Sequence, residues 1–242
     1  VNLLDAPGYP DFIGELRAGL RASDAALFVV SAVDGIDATT TALWGECGHM
    51  GLPRAVVITR VDHPRANYDG ALAACQRAFG DGVLPLYVPV RTDGGITGLL
   101  GLLSQEVADY SSEDSAPEVR AATAGERTDA GTARGALIEG IIAESEDETL
   151  MDRYLEGEDM DAAVLAADLE TAVARGSFFP VLPTSAVTGL GTAELLDLLV
   201  RAFPPPVERS LPDAADLSGK PAGSLACDPS GPLAAEVVRT SN

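Results

Sequence analysis

The chain has 242 residues, 46% of them hydrophobic, and carries 37 Asp and Glu against 16 Lys and Arg, a formal net charge of −21. That much apolar material builds one full domain with attached pieces. So acidic a surface repels nucleic acid at long range and speaks against direct DNA binding, and no apolar run approaches the length of a membrane-spanning helix.

Val1 to Asp5 reads as a strand, and the chain opens inside it without Met, a basic region or a small-residue cleavage site, so a fragment is expected. Strands and helices then alternate. Pro10 to Arg21 is helical, Ala25 to Ser31 a strand, Thr39 to Met50 a helix, Arg54 to Thr59 a strand, Asn67 to Phe79 a helix and Leu84 to Val88 a short strand. Continuous apolar strands separated by amphipathic helices predict a doubly wound α/β fold with a mostly parallel sheet covered on both faces. In such folds ligands sit at the carboxyl ends of the strands.

After Val90 the rhythm changes. Thr92 to Gly98 reads as a turn-rich link and Leu99 to Tyr110 as a short strand or helix. Ser111 to Gly135 lacks apolar periodicity and is expected to be a solvated, disordered insert. Leu137, Ile138, Ile141 and Ile142 are spaced for a helix, Asp161 to Arg175 for a second, and together they form a helical insertion. Phe178 to Pro183 is again a strand, and Thr192 to Ala202 a helix stopped by Pro204-Pro205-Pro206. Val207 to Asp228 is linker-like, and Leu233 to Arg239 is expected to open a further, β-barrel domain. The expected organisation is a core over 1–90, an insertion over 91–176, the last strand and helix of the core over 177–206, and a linker with the start of the second domain over 207–242.

Cys47, Cys75 and Cys227 lie far apart, and only His49 and His63 could complete a metal site with them. Reduced thiols are expected rather than zinc ligands. Trp44 and Cys75 fall on apolar helix faces and are expected in the core.

Three segments carry chemistry. Asp5-Ala6-Pro7-Gly8 follows the first expected strand, where a carboxylate can hold a magnesium-bound water and a glycine amide can bond a terminal phosphate. Thr59-Arg60-Val61-Asp62 follows the strand Arg54 to Thr59. There a carboxylate can accept two N–H groups of guanine, which discriminates against adenine, and the Arg stem can lie on the base plane. Thr184-Ser185-Ala186 ends the strand Phe178 to Pro183, where backbone N–H groups can reach the guanine carbonyl.

In this order D-A-P-G, T-R-V-D and T-S-A resemble the last three GTP-binding motifs of the translational GTPases, elongation factor G above all. The segments Gly14-Glu15-Leu16-Arg17, Ser31 to Ile36 and Leu150 to Glu158 support the resemblance, the last being similar to the helical insertion of elongation factor G. The resemblance implies a P-loop GTPase fold whose phosphate-binding loop would precede Val1. It implies GTP or GDP with Mg2+ as ligands, Asp5 on the metal through water, and Gly8, Thr59, Arg60, Asp62, Ser185 and Ala186 on the nucleotide. It further implies a cytoplasmic monomer that acts on the ribosome in protein synthesis and contacts neither DNA nor membrane. The piece by itself is expected to be inactive and marginally stable.

The match has three departures. Tyr9 stands where the family has a His that orients the attacking water, Thr59 where it has Asn, and Arg60 where it has Lys. A phenol can hydrogen-bond a water but does not change charge near neutral pH as imidazole does. Three readings stay open: a GTP hydrolase, a ribosome-associated guanine-nucleotide switch with little hydrolysis, and an acidic adaptor with a decayed nucleotide site.

Overall fold

The computed structural model describes residues 1–92, 95–112, 116–145, 147, 149–158, 160, 162–208, 213–216, 218–231, 233 and 235–240. They fall into two compact units, residues 26–203 and residues 1–25 with 204–242. In the smaller unit a 3-10 turn, Pro10–Phe12, leads into α1, Ile13–Arg21. The expected strand Val1 to Asp5 does not form: the segment pairs with no described strand and leaves Val1, Leu3 and Leu4 exposed. Strand propensity needs a ladder partner before it becomes a strand.

The larger unit begins with β1, Ala26–Ser31, followed by α2, Ala38–His49, β2, Arg54–Thr59, α3, Tyr68–Phe79, and β3, Val83–Pro85. Its second half then supplies β4, Tyr87–Thr92, β5, Gly95–Gly101, β6, Glu106–Asp109, β7, Glu118–Ala121, and the helices α4, Ala124–Asp129, α5, Gly131–Ile142, α6, Thr149–Leu155, and α7, Ala162–Arg175. It closes with β8, Phe179–Pro183, and α8, Thr192–Arg201. The smaller unit resumes with a hairpin, β9, Asp213–Ala215, and β10, Pro221–Ser224. The described residues of Leu233 to Arg239 carry no strand, again for want of a partner.

Strands β1, β2, β8 and β3 lie side by side in that order and all run parallel. Alternation along β2 assigns its side chains to two layers. Val56 and Ile58 face a cluster with Trp44, Tyr68, Cys75 and Phe79 from α2 and α3, while Ala55 joins a cluster with Leu137, Ile141, Leu165 and Val173 from α5 and α7. Insertion helices therefore cover the second face of the sheet. Gly140 lets α5 lie close on β3, since a Cβ there would stand 2.6 Å from Leu84 Cδ1. Burial pushes the Cys47 and Cys75 thiols up to about 11, so both act as small hydrophobes.

The described residues of the stretch expected to be a link and a disordered insert are ordered, and positions 93–94 and 113–115 of that stretch lie outside the described residues. Strands β4 to β7 form an antiparallel sheet of consecutive neighbours. Glycine content suggests a loop in β5, yet Gly98 is there because a Cβ would come within 2.8 Å of the Ala108 carbonyl on β6. Strand β7, Glu-Val-Arg-Ala, is exposed along its whole length, so its short polar-apolar alternation marks no buried face. Helix α4 starts with a capping box: the Glu126 N–H donates to Thr123 Oγ1 at 3.3 Å, and the Thr123 N–H donates to Glu126 Oε2 at 2.8 Å. Arg120 clasps both Glu126 oxygens, at 2.9 and 2.6 Å.

A cation sits in the aromatic layer. Arg54 is 7% exposed, its guanidinium 4.6 Å from the Trp44 ring centroid and 4.4 Å from that of Phe179. It donates to the carbonyls of Trp44 at 2.9 Å and Gly176 at 3.4 Å, and Nε has no partner among the described residues. Burial pulls its pKa below the ordinary arginine value. The ring faces and two carbonyls substitute for a carboxylate.

Two stability tests follow from these contacts. Arg54→Ala should lower the free energy of unfolding by about 3 kcal/mol, whereas Arg54→Met, which refills the slot without charge, should cost less than half of that in urea titrations. Equal losses would show that the cation rather than the filled volume stabilises the layer. The Arg120 guanidinium, then the Thr123 N–H, hold the Glu126 carboxyl at about 2, below its ordinary 4.5. A depressed folded-state pKa means stability present above the ordinary value and lost as pH falls toward about 2. Glu126→Gln should therefore destabilise by about 1 kcal/mol at neutral pH, and the gap to wild type should close between pH 4.5 and about 2 in the same assay.

Candidate functional site

Parallel pairing puts three strand ends in one row. Ser31 is in register with Thr59, and Ile58 with Pro183, so the turns after β1, β2 and β8 leave the sheet along a common carboxyl edge. Backbone hydrogen bonds lock them together. The Ala32 N–H donates to the Thr59 carbonyl at 2.9 Å, the Thr184 N–H to Ile58 at 2.8 Å and the Val61 N–H to Thr184 at 3.4 Å. The Asn67 N–H donates to the Ala32 carbonyl at 3.0 Å, and Asn67 Oδ1 caps α3 by accepting from the Gly70 N–H.

Arg60 takes the left-handed conformation, φ +62, at the point where the chain turns off β2. Its Nη1 reaches Asp34 Oδ2 at 2.6 Å, and the same oxygen accepts from Ser31 Oγ at 2.8 Å. Asp62 is exposed, and among the described residues its carboxylate has no hydrogen bond or ion pair. The Thr59 hydroxyl likewise has no described partner, while its carbonyl is taken by Ala32.

The turn after β8 narrows the expectation for its amides. Ser185 is fully buried, its N–H is given to the Leu190 carbonyl at 2.9 Å, and its hydroxyl accepts from the Thr188 N–H at 3.2 Å. Thr184 and Ser185 therefore shape the loop and have no amide left for a ligand. Ala186 is exposed, and its N–H has no acceptor among the described residues. Gly191 closes the loop at φ +77, where a Cβ would fall 2.3 Å from the Pro183 carbonyl, so only glycine fits. Behind it, Glu194 on α8 is nearly buried and accepts from the Tyr110 hydroxyl at 2.5 Å. Burial and that carboxylate raise the Tyr110 pKa, which keeps the phenol a donor.

Asp5, Gly8 and Tyr9 belong to the other unit. Without a strand before it, Asp5 is an exposed carboxylate on chain without regular structure. Gly8 has no atom within 4 Å of where a Cβ would stand, so local packing does not require glycine there. Tyr9 precedes the 3-10 turn, its carbonyl accepting from the Phe12 N–H at 3.0 Å, and its side chain is 76% exposed. Among the described residues no group of three His, Cys, Asp or Glu could hold a metal by itself, and no helix is long and apolar enough to cross a membrane.

Sequence reading overlooked Asp34, Gly191 and the Tyr110–Glu194 pair as parts of this edge. A Ser-x-x-Asp turn straight after a strand was the available signal for the first. The pair is separated by 84 positions and leaves no local trace.

The profile of the elongation factor Tu GTP binding domain matches residues 1–205. Over 242 residues the chain is 56% identical to the elongation factor G-like protein of Mycobacterium tuberculosis, covering 100% of this chain and 33% of that protein. It is 32% identical over 241 residues to elongation factor G 1 of Geobacter sulfurreducens, covering 97% and 34%. A crystal structure of a Thermus thermophilus protein superposes with a TM-score of 0.76 at 35% identity, over 86% of this chain and 31% of that one. The chain thus spans about a third of the length of the proteins it matches. A sheet with its turns gathered at one carboxyl edge and a profile match across most of the sequence agree: the chain belongs to the elongation factor Tu GTP binding domain family and resembles elongation factor G within it.

Proposed function

We propose that the carboxyl edge of the larger unit holds the guanine base of GTP or GDP in a translational GTPase that acts on the ribosome. One observation carries this reading: a carboxylate, Asp62, and an amide, Ala186, neither with a partner among the described residues, stand on the turns of adjacent parallel strands. Guanine presents two N–H donors beside one carbonyl, so a carboxylate next to an N–H matches its edge, and adenine offers the opposite pattern. The Arg60 stem covers a base face, Thr59 supports the turn, and Ser185 shapes the loop that presents Ala186.

Asp5, Gly8 and Tyr9 are assigned to the phosphate end on the strength of the resemblance. Asp5 is a single exposed carboxylate, which fits a residue that would hold a magnesium ion through water rather than by direct contact. When bound, the metal neutralises charge on the terminal phosphates. Gly8 offers its amide to the last phosphate, and Tyr9 holds the attacking water by a hydrogen bond without taking its proton. The assigned organisation is a nucleotide core over 1–90 and 177–206, an insertion over 91–176 and a linker to a second domain from 207, in a cytoplasmic monomer contacting neither DNA nor membrane. Tyr9 in place of His favours slow turnover, which makes a guanine-nucleotide switch the second reading.

Two measurements on the full-length gene product test this. Asp62→Asn should weaken GDP binding about a hundredfold, a loss of about 3 kcal/mol for a charge-assisted bidentate contact, and should improve binding of xanthosine diphosphate, whose 2-oxo group suits an amide donor. Unchanged GDP affinity would remove Asp62 from the base. Tyr9→His should raise ribosome-stimulated GTP hydrolysis by about a hundredfold, the scale of a positioned general base. Fast hydrolysis by the wild type that the substitution abolishes would instead make the phenol the working group.

A further inference from the structure

The turn after β1 has no part in the base contacts above, yet besides its backbone bonds to the neighbouring turns it holds the side chain of Arg60. Arg60 extends from the end of β2 to the end of β1, where Asp34 Oδ2 takes its Nη1 at 2.6 Å. Asp34 is itself held. Ser31 Oγ donates to the same oxygen at 2.8 Å and accepts from the N–H groups of Val33 at 3.1 Å and Asp34 at 3.2 Å, while the Ser31 carbonyl accepts from the Gly35 N–H at 3.1 Å. The carboxylate therefore sits on a tightly turned loop fixed to the same sheet edge as Arg60.

An exposed arginine ordinarily samples many rotamers, and ordering it on ligand binding costs rotamer entropy. Left-handed backbone at Arg60 fixes where its stem starts, and Asp34 fixes where its guanidinium ends. Both ends of the stem are thus held along the row of strand ends before any nucleotide arrives.

We propose that Asp34 is a positioning residue for the base: by holding the Arg60 guanidinium it keeps the arginine stem stretched as a preformed ledge for one face of the purine. This rests on the reading of the edge as a guanine site. The ledge acts on the ring face and Asp62 on the ring edge, so the two roles separate by substrate. Loss of Asp34 weakens every purine that Arg60 covers to the same degree, whereas loss of Asp62 discriminates between bases. Because the pair is exposed, at 47% and 62% of side-chain area, its effect is modest and falls with salt.

The test is the dissociation rate of fluorescent GDP and IDP from the full-length gene product, for wild type, Asp34→Asn, Arg60→Ala and the double variant. Asp34→Asn keeps the size of the side chain, and Asp34→Glu, which keeps the charge, serves as the rescue. Each single neutral variant should raise both dissociation rates about threefold, the double variant no more than the worse single one, and Asp34→Glu should restore most of the wild-type rate. Thermal unfolding midpoints should stay unchanged. Multiplying effects in the double variant would show that Asp34 acts independently of Arg60 and overturn the inference. So would a rate unchanged or slowed by Asp34→Asn while wild type holds GDP. Failure of the wild type itself to hold GDP would refute the guanine reading, and the inference with it.

Discussion

Parallel strand register is the constraint on which the candidate site depends. Residues of β1, β2 and β8 that are far apart in sequence stand level because every strand of the sheet runs the same way, so each turn leaves from the same side. The backbone bonds between the turns, Ala32 to Thr59 and Val61 to Thr184, then carry the register past the last ladder rung into the loops. Asp62 and Ala186 inherit positions set by the sheet, and with no partner among the described residues for the carboxylate of the first or the amide of the second, both are left to face a ligand.

Two kinds of packing hold that sheet. On one face, Trp44 stacks on Phe79 at 4.1 Å and meets Phe179 edge-on at 4.7 Å, with Arg54 laid against Trp44 and Phe179. On the other face, aliphatic side chains of α5 and α7 form most of a layer that includes Phe178 and shows no ring pair among the described residues. The aromatic face is specific in geometry and the aliphatic face tolerant of it, a difference expected from directional ring contacts against non-directional dispersion. The base edge lies at the carboxyl limit of both.

Most of the sheet was legible because fully buried parallel strands are nearly uniform in apolarity: β2, Arg-Ala-Val-Val-Ile-Thr, and β8, Phe-Pro-Val-Leu-Pro, could be bounded within a residue or two. The antiparallel sheet was not, because its glycines serve close strand approach and its four-residue outer strand β7 is exposed on both faces. The T-x-x-E signal at Thr123 and Glu126 was present and overlooked. Val1 to Asp5 and the described residues of Leu233 to Arg239 show the converse error: strand formers without a described ladder partner carry no strand. In the site, types and order of residues pointed to Asp62 and Ala186. The state of each backbone amide, spent in Ser185 and free in Ala186, is a three-dimensional fact that spacing cannot convey.

The insertion also has an architectural duty. Strands β3 and β8 are adjacent and parallel, so the chain leaving the top of one must return to the bottom of the next, and a tight turn cannot do this. Every residue of the antiparallel sheet and of α4 to α7 lies on that return path, and α5, packed against β3 through Gly140, is the crossover helix that any βαβ unit requires. Trimming residues 86–178 to a short loop would thus disconnect the sheet rather than simplify it, whereas a shortened chain that keeps one helix against β3 preserves the topology. What reads in sequence as an embellishment between two motifs is the connection that brings the second motif, Thr184-Ser185-Ala186, beside the first.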